Sequence, residues 1–378
     1  MSSYFRLFLI IGVLGFSASN VKSQESNQII VGAPFLTIAP DSRAAGYGDQ
    51  GAATNADNNS QFWNPAKYPF TQYKGGATYT YTPWLKNIAD GINLHSIAGF
   101  YKFNDKQAIS ASVRYFTIGE IPINDEMGNN FGNAVMKPND FAVDLGYSRK
   151  LSDNFSAAIV FRFLRSDLTG GSSVPSIGGV AIDSKAASSV AADIAVYYNK
   201  IYTSKNVLAF GLTISNLGPK ISYSDNGDKI FIPTNLRIGG RYTFNIGEKN
   251  QLSALLETTK LLVPTPDYKD GINVNADKTV LEGIFSSFGD APGGFSEEMK
   301  EFTYSVGLEY ALYNTFMART GYFHESKMKG NRQFVTFGIG AKYRVFEIDA
   351  AYLVPTSSGN TSPLDNTFRF SVGVQLGK

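Results

Sequence analysis

Cysteine is absent from the 378 residues, which excludes disulfides, zinc–thiolate sites, thiol nucleophiles and a lipid anchor on Cys. Histidine is nearly absent: His95 and His324 stand far apart, with no metal-ligand spacing. Charged residues make up 17% and the formal net charge is +2, so the clustered basic footprint of a nucleic-acid partner is missing. Long helical stretches of Ala, Leu, Glu and Lys are missing as well. Apolar runs are short, with one exception near the N-terminus. There Arg6 precedes an apolar stretch from Leu7 to Phe16, and small and polar residues follow. This pattern predicts a secretory signal peptide over 1–23, with Val21 at −3 and Ser23 at −1 of the cleavage site. Roughly ten residues are too few for a helix to cross a bilayer core of about 30 Å. No run of 18 apolar residues follows, so any membrane-spanning part must be β. No nucleotide loop, metal cluster or phosphate cradle is visible, and no cofactor is expected.

What is present is a β composition. Aromatics reach 13%, with 28 Phe and 21 Tyr, and Gly numbers 37. Such side chains suit a pleated, half-buried surface. Mean hydropathy is slightly negative, as expected of a transmembrane barrel whose strands give half their residues to the lumen. From residue 74 onward, polarity alternates with period two, which puts one set on each face of a strand. Phe302, Tyr304, Val306, Leu308 and Tyr310 alternate with Thr303, Ser305, Gly307 and Glu309. Phe368, Phe370, Val372 and Val374 alternate with Arg369, Ser371, Gly373 and Gln375. The pattern predicts fourteen strands, at 74–82, 91–103, 106–118, 139–150, 155–166, 187–199, 205–216, 234–246, 250–262, 302–312, 315–324, 332–343, 346–354 and 365–377.

The connections decide the architecture. Those after even-numbered strands are short, whereas those after odd-numbered strands are mostly long (83–90, 119–138, 167–186, 217–233, 263–301, 325–331 and 355–364). Short turns on one rim and long loops on the other mark an outer-membrane barrel. A lipid exterior requires every backbone polar group to pair within the wall, and only a closed sheet has no edge. The expected fold is therefore all-β: a 14-stranded antiparallel transmembrane barrel over 74–378, in the outer membrane of a Gram-negative cell. The polar set should face inward with mixed charges. Arg114, Arg162, Arg237, Arg241, Arg319, Lys342 and Arg369 oppose Asp144, Asp193, Glu257, Glu309, Glu347 and Asp349, which suggests a lumen of ion pairs around a plug. Residues 24–73 are rich in Gly, Ala, Asn and Pro and lack alternation. They are expected to fold into the lumen, with a short helix starting near Asp41. The chain ends Leu376-Gly377-Lys378, without the terminal aromatic usual for such barrels.

Phe62-Trp63-Asn64-Pro65-Ala66 resembles the Asn-Pro-Ala motif in the plug of FadL-type barrels, fourteen-stranded outer-membrane transporters of hydrophobic molecules. Longer blocks are similar to the PorV (LptO) family, the FadL-like component of type IX secretion in Bacteroidetes. They are Ala33-Pro34-Phe35-Leu36, Ile38 to Gly46, Asn216 to Tyr223, Pro233 to Arg237 and Thr259 to Pro266. The resemblance implies a non-enzymatic shuttle. It would take cargo carrying a C-terminal signal domain from the SprA translocon and deliver it to a PorU-containing attachment complex, where cargo is linked to lipopolysaccharide. Asn64, Pro65 and Ala66 are then plug residues.

Cargo binding needs apolar anchors on the long loops. Met127, Phe131 and Val135 are candidates in 119–138, and Tyr268, Phe285, Phe288 and Phe295 in 263–301, where 281–288 could form a short amphipathic helix. An alternative is packing of these side chains against one another. Two other functions are weighed. A FadL-like transporter of hydrophobic small molecules needs an apolar path, against which the lumen charges argue. A lipid A deacylase needs a base beside a nucleophile. His95 is expected to face inward with Asn93 and Tyr101, and His324 lies beside Glu325 and Ser326; neighbours in a strand point apart, so neither makes an evident dyad.

Overall fold

The computed structural model describes residues 27–85, 91–124, 130–171, 184–225, 227–356 and 367–377. The expected signal peptide lies outside them.

The strands are β1 (Gly75–Pro83), β2 (Asn93–Asn104), β3 (Gln107–Thr117), β4 (Ile121–Asn124), β5 (Asn130–Met136), β6 (Asn139–Ser152), β7 (Phe155–Asp167), β8 (Ala187–Ile201) and β9 (Val207–Leu217). They continue with β10 (Asn235–Ile246), β11 (Asn250–Leu261), β12 (Tyr268–Lys269), β13 (Ile272–Asn273), β14 (Phe302–Leu312), β15 (Phe316–His324), β16 (Gln333–Tyr343), β17 (Phe346–Pro355) and β18 (Phe368–Leu376). Fourteen of them form one closed antiparallel barrel in the order β1-β18-β17-β16-β15-β14-β11-β10-β9-β8-β7-β6-β3-β2. The closing seam pairs β1 with β18 from Gly75↔Leu376 to Tyr81↔Phe370. The sheet thus has no free edge. Each expected strand is present within a few residues, and the short and long connections alternate as expected.

Burial runs opposite to that of a soluble sheet. In β18, Arg369, Ser371 and Gln375 are buried while Phe368, Phe370 and Val372 are exposed. In β3, Ser110, Ser112 and Arg114 are buried while Ile109, Val113 and Tyr115 are exposed. Hydrocarbon takes the place of a core on the outside of such a wall. Tertiary packing is instead directed inward, onto residues 27–73.

Two loops carry regular structure, of which only the helix over 281–288 was expected. Residues of 119–138 form the hairpin β4–β5, with Ile121 opposite Met136 and Pro122 opposite Val135. In 263–301, β12 and β13 pair, and the helices α3 (Val280–Ser286) and α4 (Phe295–Glu298) follow. Thr279 caps α3 through a capping box with Glu282, a signal readable as T-x-x-E.

Candidate functional site

Residues 27–73 traverse the lumen from the long-loop rim to the short-turn rim. At the long-loop end the Asn27 backbone N–H donates to the Met328 carbonyl (3.0 Å), and its side-chain amide donates to Glu297 Oε1 (2.9 Å). At the short-turn end Lys102 Nζ donates to the Thr71 carbonyl (2.9 Å). Between them lie two helical turns, α1 (Ser42–Ala45) and α2 (Ser60–Trp63), and a 3-10 helix over Pro65–Phe70. Asp41 starts α1 by accepting the Ala44 N–H (2.8 Å), as its sequence position suggests.

Asn64, Pro65 and Ala66 are completely covered. Asn64 caps the 3-10 helix, its Oδ1 accepting the Ala66 N–H (3.0 Å), and Pro65 takes the first helical position, where its missing N–H costs nothing. The other end of the same amide donates to the Ala52 carbonyl and to the Val196 carbonyl of β8, both at 2.9 Å. One side chain therefore shapes the inner segment and fastens it to the wall. Trp63 is held by Asp41, whose Oδ2 accepts its indole N–H at 2.5 Å, and the Arg237 guanidinium lies 4.5 Å from its ring centre.

The inward charges pair across the lumen. Asp57, Arg43, Glu309, Arg319 and Asp349 form a chain: Arg43–Asp57 is 2.7 Å, Arg43–Glu309 3.3 Å, Arg319–Glu309 2.7 Å and Arg319–Asp349 2.5 Å. Arg162 bridges Asp144 (2.6 Å) and Asp193 (2.9 Å), and Arg114 adds to Asp144 (3.6 Å). Arg237 pairs with Glu257 (2.9 Å), whose other oxygen accepts the Gly51 and Ala52 N–H groups. Arg369 pairs with Asp49 (2.5 Å), Lys342 with Glu347 (3.2 Å), and Arg241 donates to the Ala53 carbonyl (3.0 Å). Buried charges persist only when paired and hydrogen-bonded, and each here is met by a wall residue or by the inner segment. In the inner segment, burial pushes the Lys67 ammonium down to about 8, although Asp57 opposes the shift. Its Nζ donates to the Gly51 carbonyl (2.8 Å) and Thr54 Oγ1 (2.7 Å).

Inward glycines mark the points of closest approach. A Cβ on Gly211 would stand 1.9 Å from the Ala52 carbonyl oxygen, and one on Gly321 would stand 2.2 Å from the Tyr47 carbonyl carbon. Sequence reading placed glycine on the inward face without recognising it as a mark of contact. It also missed Arg43, Asp57 and Lys67, because the inner segment has no periodicity to show which of its charges are buried.

At the long-loop rim, Tyr268, Phe285, Phe288 and Phe295 are exposed, by 49% to 79%. Leu281, Phe285 and Phe288 follow one another at spacings of four and three, so α3 and its C-terminal extension present one apolar face. The opposite face seats Gly283 against Phe231 and Pro264. Phe288 is half covered, its ring 5.8 Å from Lys260 Nζ, while Phe285 and Phe295 are the most exposed of the four. Val135 is half-buried beside Pro122, Phe131 lies in β5 with its side chain outside the described part, and Met127 lies outside the described residues. Beneath the loop, Lys260 pairs with Glu298 (2.7 Å) and Glu301 (2.6 Å), and Lys329 with Glu297 (2.6 Å) and Glu301 (2.9 Å). Beside this cluster a cavity of about 510 Å³ opens among Ile29, Thr37, Trp63, Arg237, Phe323 and Arg332.

One expectation is corrected. His95 faces outward, not inward: Leu94, Ser96, Ala98 and Phe100 are buried, and the His95 ring meets Tyr79, whose hydroxyl lies 2.8 Å from Nδ1. Polarity misled because the inward face of β2 mixes the apolar Leu94, Ala98 and Phe100 with Ser96 and Lys102. Phe100 stacks on Tyr68 (4.6 Å between centroids), and Leu94 joins a cluster with Phe35 and Ile232. His324 lies beside Tyr322.

A closed wall of fourteen strands, exposed aromatics and sorted loops define an outer-membrane β-barrel. Solved structures with this fold include a deltaS2S3 mutant of the monoaromatic hydrocarbon channel TodX from Pseudomonas putida, with a TM-score of 0.53, 12% identity, and 89% of this chain and 97% of that one covered. The toluene transporter TbuX of Ralstonia pickettii gives 0.50 at 12% identity, covering 90% and 98%, and a Pseudomonas aeruginosa FadL homologue gives 0.48 at 12%, covering 93% and 99%. A comparison with curated proteins returned no match. The family model described as "Type IX secretion system protein PorV" matches residues 21–268, and the chain belongs to that family.

Proposed function

We propose that the barrel is a non-conducting, non-enzymatic shuttle of type IX secretion. Its long-loop rim binds the C-terminal signal domain of cargo leaving the SprA translocon and passes it to the PorU-containing attachment complex. The observation that carries this reading is the combination of a filled lumen with an unpartnered aromatic surface above it. Residues 27–73 act as a plug, tied to the wall by ion pairs and hydrogen bonds at several levels of the lumen. Tyr268, Leu281, Phe285, Phe288 and Phe295 supply the apolar anchors, with polar neighbours such as Glu282 and Asp290 as a rim. A FadL-like transport path would have to pass the Asp57–Arg43–Glu309–Arg319–Asp349 chain, where apolar solutes lose more than they gain.

The test is a pull-down of the barrel from mildly solubilised membranes. Recovery of a very large barrel together with proteins sharing a C-terminal domain is expected. Recovery of the barrel alone, carrying a bound hydrophobic small molecule, would overturn the shuttle reading in favour of transport.

A further inference from the structure

Unpaired positive charge gathers on the short-turn rim. Lys74 precedes β1, Lys200 stands near the end of β8, and Lys249 and Arg344 lie in the β10–β11 and β16–β17 turns. Each sits over a tyrosine: Lys74 at 5.8 Å from the Tyr101 ring centre, Lys200 at 5.2 Å from Tyr202, Lys249 at 6.0 Å from Tyr313 and Arg344 at 5.4 Å from Tyr343. The four rings are themselves exposed. Lys106, Arg149 and Lys205 add three more exposed cations on the same rim, so seven stand against three exposed carboxylates there, Asp105, Asp153 and Glu248. Among the described residues none of the seven forms an ion pair. The long-loop rim is more balanced: Lys137, Lys185, Lys269, Lys278, Lys329 and Arg332 each pair with a carboxylate, while Lys220, Lys229, Lys300 and Lys327 form no ion pair among the described residues. The chain as a whole carries only +2, so this is a local concentration of charge.

We propose that the short-turn rim is a binding surface for anionic phospholipid headgroups, in the membrane leaflet that the short turns face. Three features fit this occupant. Tyrosine with a lysine or arginine beside it is suited to the boundary of hydrocarbon and water, the ring covering apolar surface and the cation reaching the phosphate layer. Arg149 and Lys200 stand on the outward face of their strands, in register with Tyr147 and Tyr198, and so border lipid as well as water. The cations ring several separate turns and do not converge on one point, which matches many headgroups around a cylinder better than one acidic protein. Attraction of basic residues to an anionic leaflet acts within a Debye length and is screened by salt.

The experiment uses the full mature barrel in nanodiscs of phosphatidylcholine with a minor fraction of phosphatidylglycerol, followed by mass spectrometric counting of the lipids retained on the protein. Phosphatidylglycerol enriched about fivefold over its bulk fraction is expected, the factor that one basic contact with an anionic surface supplies. The Lys200→Glu/Lys249→Glu/Arg344→Glu variant, shown folded by its heat-modifiable mobility, should lose most of the enrichment, and Lys200→Arg/Lys249→Arg should keep it. Should the triple variant fail to fold, the unmodified barrel at about 0.5 M salt decides the matter, since screening must abolish the preference. Retention of the two lipids in proportion to their bulk fractions overturns the proposal, as does a preference that survives charge reversal or salt. Enrichment lost on reversal but unaffected by salt would point to a specific non-electrostatic lipid site and would also overturn it.

Discussion

Asn64 joins two tasks in one amide, and this sets what its loss should do. Asn64→Ala removes the cap of the 3-10 helix and leaves the Ala52 and Val196 carbonyls without their donor. A lost cap costs about 1 kcal/mol, and each buried acceptor left bare adds roughly 1–3 kcal/mol. Thermal unfolding of the detergent-solubilised barrel should fall by several degrees, and protease should reach residues 27–73 before the wall. Arg319 sits between two carboxylates, so Arg319→Met leaves Glu309 and Asp349 without it. Removing one partner of a buried pair costs about 3–5 kcal/mol, and denaturant titration should show the loss. Restoring the cluster's original charge balance with Glu309→Gln in the same chain should recover part of it. At this scale the sequence was legible wherever period two applied. The inward register of Arg162, Glu257 and Arg369 follows from alternation alone, as does that of the wall partners Asp144, Asp193 and Arg237; Asp49 and Gly51 escape it, because they meet Arg369 and Glu257 only after the segment has entered the lumen. His95 was misread because polarity was taken to decide direction; register with Tyr79 and Tyr81 decides it.

Elements differ in the same way. The wall strands announce themselves because lipid and lumen impose opposite demands on neighbouring residues. Loops carry no such demand, so the β4–β5 hairpin went unseen, and α3 was visible only through the apolar spacing of 281–288. Leu281→Asp with Phe285→Asp should weaken capture of C-terminal signal domains at least about tenfold, as hot-spot losses at interfaces do, and leave the unfolding temperature within a degree or two, since both side chains are exposed. An unchanged pull-down would remove α3 from the binding surface. The loop's underside should respond to pH. Burial raises the Glu297 carboxyl, but the Lys329 ammonium, the Gly293 N–H and the Asn27 amide outweigh it and hold the group below the usual glutamate range. Its contribution is therefore complete above that range and is lost as pH falls through the lowered value. Hydrogen-exchange protection in 263–301, taken relative to the intrinsic amide rate at each pH, should be high at about pH 7 and lower near pH 3. Glu297→Gln should exchange faster at neutral pH and lose most of that pH dependence.

For the whole molecule the account rests on a cylinder whose interior is occupied. A barrel of fourteen strands encloses more space than its own inward side chains fill, and residues 27–73 lie in that space beside the cavity of about 510 Å³. That much was expected from composition, since a stretch of fifty residues without alternation has no place in the wall. Its course from the long-loop rim to the short-turn rim was not, because no local rule says at which end a chain enters a barrel. The most direct measurement is ion conductance of the purified barrel in a planar bilayer. The intact protein should give no steady current above the leak, and a chain lacking residues 27–73 should give well-resolved open steps. Stable, large conductance from the intact barrel would contradict the filled lumen and with it the assignment of binding to the rim.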